Sequence, residues 1–411
     1  MKTIWEEKTL ESICEVFADG DWIESKDQSD SGIRLIQTGN IGFGFFKDKE
    51  DKSRFISQET FNRLKCSEIF PGDILVSRLP DPVGKSCIIP DINGLMITGV
   101  DCTIIRLKSF VISEYVRYYQ MSRKYLNDVQ KNVSGATRQR ISRKKLGIIL
   151  IPIPPLPEQQ RIVAILDEAF AAIDKAKANA EKNLKNAKEL FESYLQGVFE
   201  NKGDGWSTKQ LKDVCRLITC GVAATPKYVD AKEGVPFLSA QNVKDGNVVL
   251  DKYRYISKQF HQELTKKNKP QKGDILYSRV GSKFGEAGVV EHDFEFSVYV
   301  SLTLIKPAVE ILSSYYLKHF LNSRQIKDLA LKSVSSSGVP NLNVKDVREF
   351  PIMLPSIFQQ DKIVENIELL SLETKRLESI YQQKLTDLEE LKKSILQKAF
   401  NGELNTADLC V

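Results

Sequence analysis

Histidine is scarce in this sequence, and paired cysteines are absent from it. Only three histidines occur in 411 residues, and all of them (His261, His292 and His319) lie in the second half of the chain. The seven cysteines are scattered and form no CxxC pair. A zinc centre needs such ligands in sets of three or four, and a disulfide framework uses cysteines in even numbers. We therefore expect no metal site, and we expect free thiols in a reducing compartment.

Long apolar runs and a large excess of charge are missing as well. No stretch approaches the ~20 apolar residues that span a bilayer, and the N-terminus lacks the apolar run and the cleavage site of a secretory signal. These absences predict a cytoplasmic protein without a membrane segment. The formal net charge of +5 permits binding to a polyanion without requiring it. The placement of the charges must therefore show whether such a binding surface exists.

The sequence does contain an internal repeat. Shifting the chain by 201 residues brings Trp5 onto Trp206, and the same shift brings GDILVSR, which begins at Gly72, onto GDILYSR, which begins at Gly273. Self-similarity at a fixed period indicates repeated structural units. The chain is therefore predicted to be a duplication of one unit of about 200 residues, within the usual range of domain sizes.

The composition of each copy changes at a proline-rich segment, at residues 152–157 and again at 351–355. Before these segments, short β-branched runs punctuated by Gly, Pro, Asn and Asp predict strands and turns, and helical periodicity appears around residues 112–127 and 312–328. We predict an α+β protein with mixed α/β modules at residues 1–152 and 202–353, and with one long helix in each of the segments 153–201 and 354–411.

Each segment after a proline-rich boundary predicts one helix, because it holds no further proline over about 42 residues. An apolar seam steps by four and three residues from Ile162 to Tyr194 and from Ile363 to Ile395, which is the spacing of a coiled coil. A shared polar step at Asn183 and Lys384 could fix its register. We expect the helices to pair antiparallel about a pseudo-two-fold axis. The alternatives are a side-by-side translation of the copies and a seam that only covers its own module.

No constellation of residues predicts catalysis. Cys14 and Cys215 recur in both copies, but each lies in an apolar stretch that a small buried side chain explains. Gly84-Lys85-Ser86 resembles the end of a phosphate-binding loop, yet Leu79 stands where that motif needs its first glycine. The tetrapeptide of adenine and cytosine amino-methyltransferases, Asn or Asp followed by Pro-Pro and an aromatic residue, does not occur. We predict no catalytic residue and no cofactor in this chain.

Basic and amide side chains occupy matching places in the two copies. Residues 129–146 carry six basic residues and no acid, and their counterpart, residues 332–345, is rich in serine and asparagine. A Gln37-Thr38-Gly39-Asn40 loop corresponds to Ser239-Ala240-Gln241-Asn242. Lysine and arginine bind phosphates, whereas amides can pair with adenine. The predicted DNA contacts are Gln37, Thr38, Asn40, Arg78, Lys131, Arg138, Arg140, Arg143, Lys144, Gln241, Asn242, Arg279, Ser337, Asn341 and Asn343. An ordinary solvated surface would explain any one of these loops, but it explains their recurrence less well.

The boundary segments and the repeated strand resemble the specificity subunits of type I restriction–modification enzymes, over essentially the whole chain. IPIPPLPEQQRIVAILDEAF from Ile151 and IMLPSIFQQDKIVENIELL from Ile352 are similar to the two conserved helical regions of that family. The GDIL-x-SR strand is similar to one in each variable module. The second segment departs from the first where Ser356-Ile357-Phe358 replaces Pro155-Leu156-Pro157.

This resemblance implies a non-catalytic chain with two target-recognition domains. Each domain would read one half of a split sequence in double-stranded DNA, and the helices would act as a ruler that fixes the unread gap. By the same resemblance the chain would assemble with two modification subunits, which bind S-adenosylmethionine and methylate adenine, and with restriction subunits that translocate and cleave DNA. Because the loops of the two copies differ, we expect unrelated half-sites.

Two other functions stay open from the sequence. One is an adaptor whose helices bind protein partners and whose modules bind something other than DNA. The other is an enzyme, which would turn over substrate when purified alone.

Overall fold

The computed structural model describes residues 5–200, 203, 205–223, 226–281, 284–334 and 341–404. The chain divides into two units: residues 1–181 with 383–411 form unit 1, and residues 182–382 form unit 2. Each long helix therefore contributes one half to each unit. Within the described ranges, no helix combines the length and the apolar character needed to cross a membrane.

Unit 1 begins with mixed strands and helices. Its strands are Glu6–Thr9 (β1), Cys14–Asp19 (β2), Gln28–Ser29 (β3), Ile33–Ile36 (β4), Arg54–Ile56 (β5), Glu68–Ile69 (β6), Ile74–Ser77 (β7), Ser86–Ile88 (β8), Met96–Thr98 (β9), Cys102–Leu107 (β10) and Leu150–Ile153 (β11). Its helices are Gln58–Leu64 (α1), Ser113–Gln120 (α2), Arg123–Asn132 (α3), Arg143–Gly147 (α4) and the first part of Leu156–Glu200 (α5).

Unit 2 repeats this order. Its strands are Ser207–Gln210 (β12), Cys215–Cys220 (β13), Tyr228–Val229 (β14), Gly234–Leu238 (β15), Val243–Lys244 (β16), Asn247–Val248 (β17), Arg254–Ser257 (β18), Ile275–Ser278 (β19), Ala287–Val289 (β20), Ser297–Val298 (β21), Leu302–Pro307 (β22) and Pro351–Leu354 (β23). Its helices are Leu211–Val214 (α6), Lys258–Asn268 (α7), Ser314–Asn322 (α8), Arg324–Lys332 (α9), Val344–Arg348 (α10) and the first part of Ile357–Phe400 (α11).

The sheets of the two units match in order and register. Unit 1 has a sheet in the order β2-β10-β7-β8, and unit 2 has β13-β22-β19-β20, which continues into β17 and β16. Ile74 pairs with Ile105 in the first sheet, and Ile275 pairs with Ile305 in the second. Further sheets run β3-β5-β4-β9-β6 and β14-β18-β15-β21. The predicted duplication is therefore a duplication of the α+β fold itself.

The repeated Gly-Asp pair begins the central strand of each unit. Gly72 and Gly273 have φ angles of +89° and +90°, a conformation that glycine adopts without steric cost. The following carboxylates close the turn, because Asp73 accepts from the Phe70 amide at 2.9 Å and Asp274 from the Gln271 amide at 2.7 Å. The apolar Ile-Leu pair then enters the buried strand.

The repeated glutamines tie each long helix to its module. Gln159 is fully buried; its side chain accepts from the Ile112 amide at 3.0 Å and donates to the Pro154 carbonyl at 2.8 Å. Gln360 is buried in the same way, with the Ser313 amide at 2.8 Å and the Pro355 carbonyl at 3.0 Å. Buried amides must find such partners, which explains why the proline and the glutamine recur at one spacing.

The long helices lie antiparallel, as predicted. In unit 1, Lys177 of α5 pairs with Glu389 of α11 at 2.6 Å, and Lys392 of α11 pairs with Asp174 of α5 at 3.2 Å. Residue numbers thus rise along one helix where they fall along the other. The seam also packs on the module, since Ile162 and Leu166 share a core with Tyr115 and Ile151 of the module as well as with Leu396 of α11. Pairing and covering the module are therefore two functions of the same seam.

The predicted seam is wrong by one residue in the middle of each helix. Asn183 and Lys384, expected as an inward polar step, are exposed, whereas Leu184 and Leu385 are partly buried. Leu190 and Leu391 are also exposed, at 59% and 46%. The alternate steps of the predicted seam hold, since Ala180 and Ala187 are buried at 2% and 7% and Leu388 is partly buried. Only every second step is therefore displaced by one residue.

An aromatic residue near the C-terminal end of each long helix completes an apolar core. Phe400 of α11 packs edge-to-face on Tyr115 and Tyr119 in unit 1, with ring centroids 5.4 and 5.2 Å apart. Phe199 of α5 packs on Tyr316 and Phe320 in unit 2, at 5.4 and 5.7 Å. Each core thus contains an aromatic ring supplied by the helix of the other repeat.

The predicted domain boundaries can be compared with these elements. The boundaries after residues 152 and 353 fall inside β11 and β23, one residue before each strand ends. The boundary between residues 201 and 202, and the C-terminal end of the last segment, lie outside the described residues.

We predict that Phe199→Ala and Phe400→Ala each lower the free energy of unfolding by about 3–5 kcal/mol, because each empties a packed aromatic site. Urea denaturation followed by far-UV circular dichroism measures this. The matched control is Phe358→Ala on α11, whose side chain is 69% exposed and whose loss should cost under about 0.5 kcal/mol. Equal effects from all three variants would contradict this account of the cores.

Candidate nucleic-acid interface

Several loops of unit 1 meet where strand β7 ends, and we call residues 37–49, 79–86 and 134–145 the first loop group. The Ile141 amide donates to the Arg78 carbonyl at 3.2 Å, and the Gly44 amide donates to the Ser86 carbonyl at 2.9 Å. Ser86 pairs with Val76, two residues before Arg78. Backbone hydrogen bonds therefore bring three segments that are distant in sequence to one end of one strand.

The second loop group consists of residues 239–252, 280–286 and 341–345, of which residues 282 and 283 lie outside the described chain. The Leu342 amide donates to the Arg279 carbonyl at 3.0 Å, the counterpart of the bond between Ile141 and Arg78. The Asp245 amide donates to the Glu286 carboxylate at 3.0 Å. Ser301, in turn, accepts from the Ala240 amide at 2.9 Å through its hydroxyl and from the Arg279 amide at 3.0 Å through its carbonyl.

The arginines that end the two central strands are buried. Arg78 is 3% exposed; its guanidinium donates to the Val100 carbonyl and lies 3.5 Å from Asp19. Arg279 is 9% exposed and donates to the Leu342 carbonyl at 2.7 Å and to the Asn341 side chain at 3.2 Å. In this conformation the Arg279 guanidinium holds a loop of the second group, whereas the Arg78 guanidinium binds Val100 and Asp19, which lie outside the first loop group. Direct contact of these arginines with DNA stays a prediction, and it would require them to leave these partners.

The predicted amide readers have two kinds of placement. Asn40 is half-buried: its side chain accepts from the Gln37 amide at 3.0 Å and donates to the Lys47 carbonyl at 3.1 Å. Asn242 is 1% exposed, accepts from the Ser239 amide and donates to the Val249 and Lys252 carbonyls. Both asparagines therefore lock a tight turn. Gln37 and Thr38 are partly exposed, and Gln241 is exposed with a 3.3 Å bond to the Lys252 carbonyl.

The basic residues of the first loop group lie at its surface. Arg138 and Arg140 both approach the Asp101 carboxylate, at 3.4 and 3.7 Å, and both are exposed. Arg143 and Lys144 occupy the first turn of α4, are exposed, and form no ion pair with any described residue. Lys131 is paired with Asp128 at 2.8 Å on α3, before the loop begins. Exposed, weakly paired cations are suited to phosphate contact.

The corresponding residues of unit 2 differ in chemistry. Asn341 is exposed and accepts from Arg279, whereas Asn343 caps α10 by accepting from the Lys345 amide at 3.0 Å. Ser335, Ser336 and Ser337 lie outside the described residues. Asn341 therefore lies in the second loop group, and Asn343 has a helix-capping position at its edge.

Three lysines of the first loop group, Lys47, Lys49 and Lys85, were not predicted from the sequence. Lys49 lies over Gly39, with its Nζ 3.0 Å from the position of a Cβ atom on that glycine. Burial, together with the charge of nearby Lys47, lowers the pKa of Lys85, which donates to the Asp81 carbonyl at 3.1 Å. These lysines are not part of a basic run in the sequence, so the sequence does not mark them as a cluster. A search for charge near the repeated asparagine, rather than for basic runs, would have found Lys47 and Lys49.

The described residues give no support to a metal or thiol site. No group of three or more His, Cys, Asp or Glu side chains among them could hold a metal ion. Burial raises the pKa of Cys14 and of Cys215 to about 12. Both thiols therefore stay protonated at neutral pH and behave as small apolar side chains, which fits the packing interpretation.

We predict that Arg279→Ala opens the second loop group, because it removes the donors that hold the Leu342 carbonyl and the Asn341 side chain. The free energy needed to open this loop group should fall by about 2–3 kcal/mol. Hydrogen exchange measured by mass spectrometry should show faster exchange in residues 341–348. The control Lys345→Ala removes a positive charge from an exposed neighbour and should leave that exchange unchanged. Slow exchange in both variants would contradict the buried role of Arg279.

A family model described as "Type I restriction modification DNA specificity domain" matches residues 3–185 and again residues 203–387. Among curated relatives, the EcoBI specificity subunit of Escherichia coli is 28% identical over 314 residues, covering 70% of this chain and 65% of that protein. The chain thus spans slightly under two thirds of that relative. The EcoKI specificity subunit of Escherichia coli K12 is 25% identical over 397 residues, covering 91% of this chain and 83% of that one.

Solved structures show the same fold at lower identity. The HsdS subunit from Thermoanaerobacter tengcongensis superposes with a TM-score of 0.65 at 18% identity, covering 98% of each chain. A chain from a study of assembly and conformational transition of the type I R-M system gives a TM-score of 0.76 at 19% identity, covering 98% of this chain and 99% of that chain. With the family match in both repeats, the chain belongs to the type I restriction–modification DNA specificity family.

Proposed function

We propose that this chain is the sequence-specific DNA-recognition subunit of a type I restriction–modification complex. The observation that carries the proposal is the family match in both repeats, each of which holds a loop group at the end of an equivalent strand. The relatives EcoBI and EcoKI are themselves specificity subunits. The chain would direct adenine methylation and cleavage that partner subunits perform, and it would itself be non-catalytic.

The first loop group supplies the phosphate contacts in this mechanism. Arg138, Arg140, Arg143 and Lys144 are exposed around Asp101 and the start of α4. Arginine and lysine neutralise phosphates and fix the orientation of a reader on the duplex, whereas side chains at base edges select the sequence. Gln37, Thr38 and Gln241 are partly or fully exposed, so they are the amide and hydroxyl candidates for base contact.

The two half-sites should differ because the two loop groups differ. The first carries the arginines at 138, 140 and 143, whereas the exposed amides Asn341 and Gln241 mark the second. The same folded frame with different loops would read a bipartite, non-palindromic target. We further propose target-recognition domains at residues 1–152 and 202–353, with helices in 153–201 and 354–411 that set an unread spacer.

The proposed partners are double-stranded DNA, two modification subunits and the restriction subunits, all in the cytoplasm. A duplicated chain offers each module-and-helix surface twice, which supports two copies of the modification subunit. S-adenosylmethionine would belong to those subunits, so we assign no cofactor to this chain. The adaptor alternative predicts no preference for any duplex, and a pull-down with random duplex DNA on the assembled complex would distinguish it.

We predict that Arg140→Ala with Lys144→Ala weakens DNA binding and lowers the slope of log affinity against log salt by about 2, because two phosphate contacts are lost. Fluorescence anisotropy over a salt series, with the modification subunits present, measures both quantities. The control Lys108→Ala with Lys124→Ala removes the same charge; Lys108 follows β10 at the far end of the sheet, and Lys124 is paired with Glu7. An unchanged slope in the test variant would remove this loop from the interface.

We also predict that lengthening both helices lengthens the spacer. The helices α5 and α11 hold 45 and 44 residues. Seven residues inserted at facing positions of both helices keep the packing register and add about 10 Å, or roughly three base pairs of duplex at about 3.4 Å each. Methylome sequencing of a host that carries the variant reads the new spacer. As a control, the same seven residues in the exposed turn at 91–94 should leave it unchanged. A constant spacer in the helix variant would refute the ruler.

A further inference from the structure

The first loop group contains a hairpin that presents two aromatic side chains to solvent. Ile41 and Phe46 form an antiparallel bridge, and the Gly42 amide donates to the Phe45 carbonyl at 2.8 Å. Phe43 is 37% exposed and Phe45 is 56% exposed. We call residues 41–46 the aromatic hairpin. It directly follows the turn that Asn40 locks.

The aromatic hairpin is held rigidly. The Gly44 amide donates to the Ser86 carbonyl at 2.9 Å, and its carbonyl accepts from Arg117 at 3.2 Å. Gly44 has a φ of +83°, and a Cβ atom there would lie 2.3 Å from the Met121 sulphur. Glycine is therefore required by both conformation and space. The two flanking rings point outward from a fixed backbone, so their exposure is built into the fold.

Positive charge surrounds this apolar tip. The Lys47 ammonium lies 5.6 Å from the centroid of the Phe45 ring. Lys49 covers Gly39 in the neighbouring turn, and Lys85 lies close enough that the charge of Lys47 contributes to lowering its pKa. An apolar surface ringed by lysines is complementary to DNA, because phosphates flank the bases on both sides of a groove.

The equivalent hairpin of unit 2 has a different chemistry. Its bridge to the asparagine turn is the same, since the Val249 amide donates to the Asn242 carbonyl at 2.8 Å, as Lys47 does to Asn40. At its tip, however, Asp245 and Asn247 replace Phe43 and Phe45. The same hairpin backbone thus carries aromatic side chains at its tip in one copy and polar side chains in the other. We expect such variation at a position that sets specificity.

The packing of Phe45 decides between two kinds of DNA contact. A ring inserted between base pairs needs both faces free. The Phe45 ring lies against Gly42, where a Cβ atom would be 2.9 Å from ring carbons Cε2 and Cζ, and the Lys47 ammonium lies over the ring. The ring is therefore partly covered, and only the remainder is open to solvent. Apolar contact with the methyl group of thymine, which lies in the major groove, needs no more than that.

We propose that Phe45, supported by Phe43, selects an A·T pair in one half-site by contacting the thymine methyl group in the major groove. This inference rests on the proposed function of DNA recognition. It adds the residue, the groove and the base feature that the first module reads.

The test replaces each thymine of the methylated target, one at a time, by deoxyuridine, which lacks only the methyl group. Binding of the chain assembled with its modification subunits is measured by competition anisotropy. One replacement, in one half-site, should weaken wild-type binding about three- to fivefold, the size expected for one apolar carbon group. With Phe45→Ala, the same replacement should have no further effect.

Two control variants make the test specific. Phe70→Ala removes a ring that is 43% exposed and stacked under Arg106 near the start of β7, at the opposite end of that strand from the hairpin. Asn247→Ala changes the counterpart position in unit 2. Both should keep the full sensitivity to deoxyuridine. Circular dichroism spectra that match the wild type would show that Phe45→Ala remains folded.

The outcomes separate the inference from the function beneath it. If the wild-type complex binds its target but no deoxyuridine replacement matters, or if the sensitivity persists in Phe45→Ala, the inference is overturned and DNA recognition stands. If the wild-type complex prefers no duplex, the proposed function fails and the inference fails with it.

Discussion

The burial of the two long helices is the constraint on which the rest of the structure depends. Helices of 45 and 44 residues extend beyond the surface that a module of about 150 residues can cover. Part of each apolar seam is buried where the helices pair in unit 1 or cover a module, and the helix ends are buried inside the module cores. Phe199 and Phe400 are the residues buried at these ends. Each ring packs among aromatic side chains of the module that belongs to the other repeat. The core of each module and the pair of helices therefore share residues.

This scaffold explains how the loops can differ so widely. In each unit, backbone hydrogen bonds from one loop to the arginine at the end of the central strand fix the position of the loop group. Buried Arg78 and Arg279 and the locking Asn40 and Asn242 form that frame. The side chains above it can change without cost to the fold because they contribute little to packing. A frame of buried polar groups with variable exposed residues is what a family of DNA readers with different targets requires.

The scaffold was predictable from the sequence, whereas the arrangement of the loops was not. The repeat, the helix boundaries and the antiparallel arrangement were predictable, because prolines, glutamines and apolar spacing are local signals. The predicted DNA contacts stay predictions, and the burial of several of them could not be foreseen from the sequence. Arg78, Arg279 and Asn242 were chosen for their chemistry, yet they are buried, and the side chain of the half-buried Asn40 is bonded within its own turn. The sequence shows that a polar side chain is present, but only the fold shows whether a carbonyl is close enough to accept its hydrogen bond.

The sequence by itself determined the duplication, the α+β modules, the long helices and the family, because each of these is carried by a pattern that repeats along the chain. The tertiary structure alone decided which residue of the seam faces inward, since the burial of a side chain depends on the neighbours that the fold packs against it. It also decided which loops meet at the end of a strand. Lys49, Lys85 and the aromatic hairpin are distant from Arg140 in sequence, and only long-range hydrogen bonds bring them into one surface.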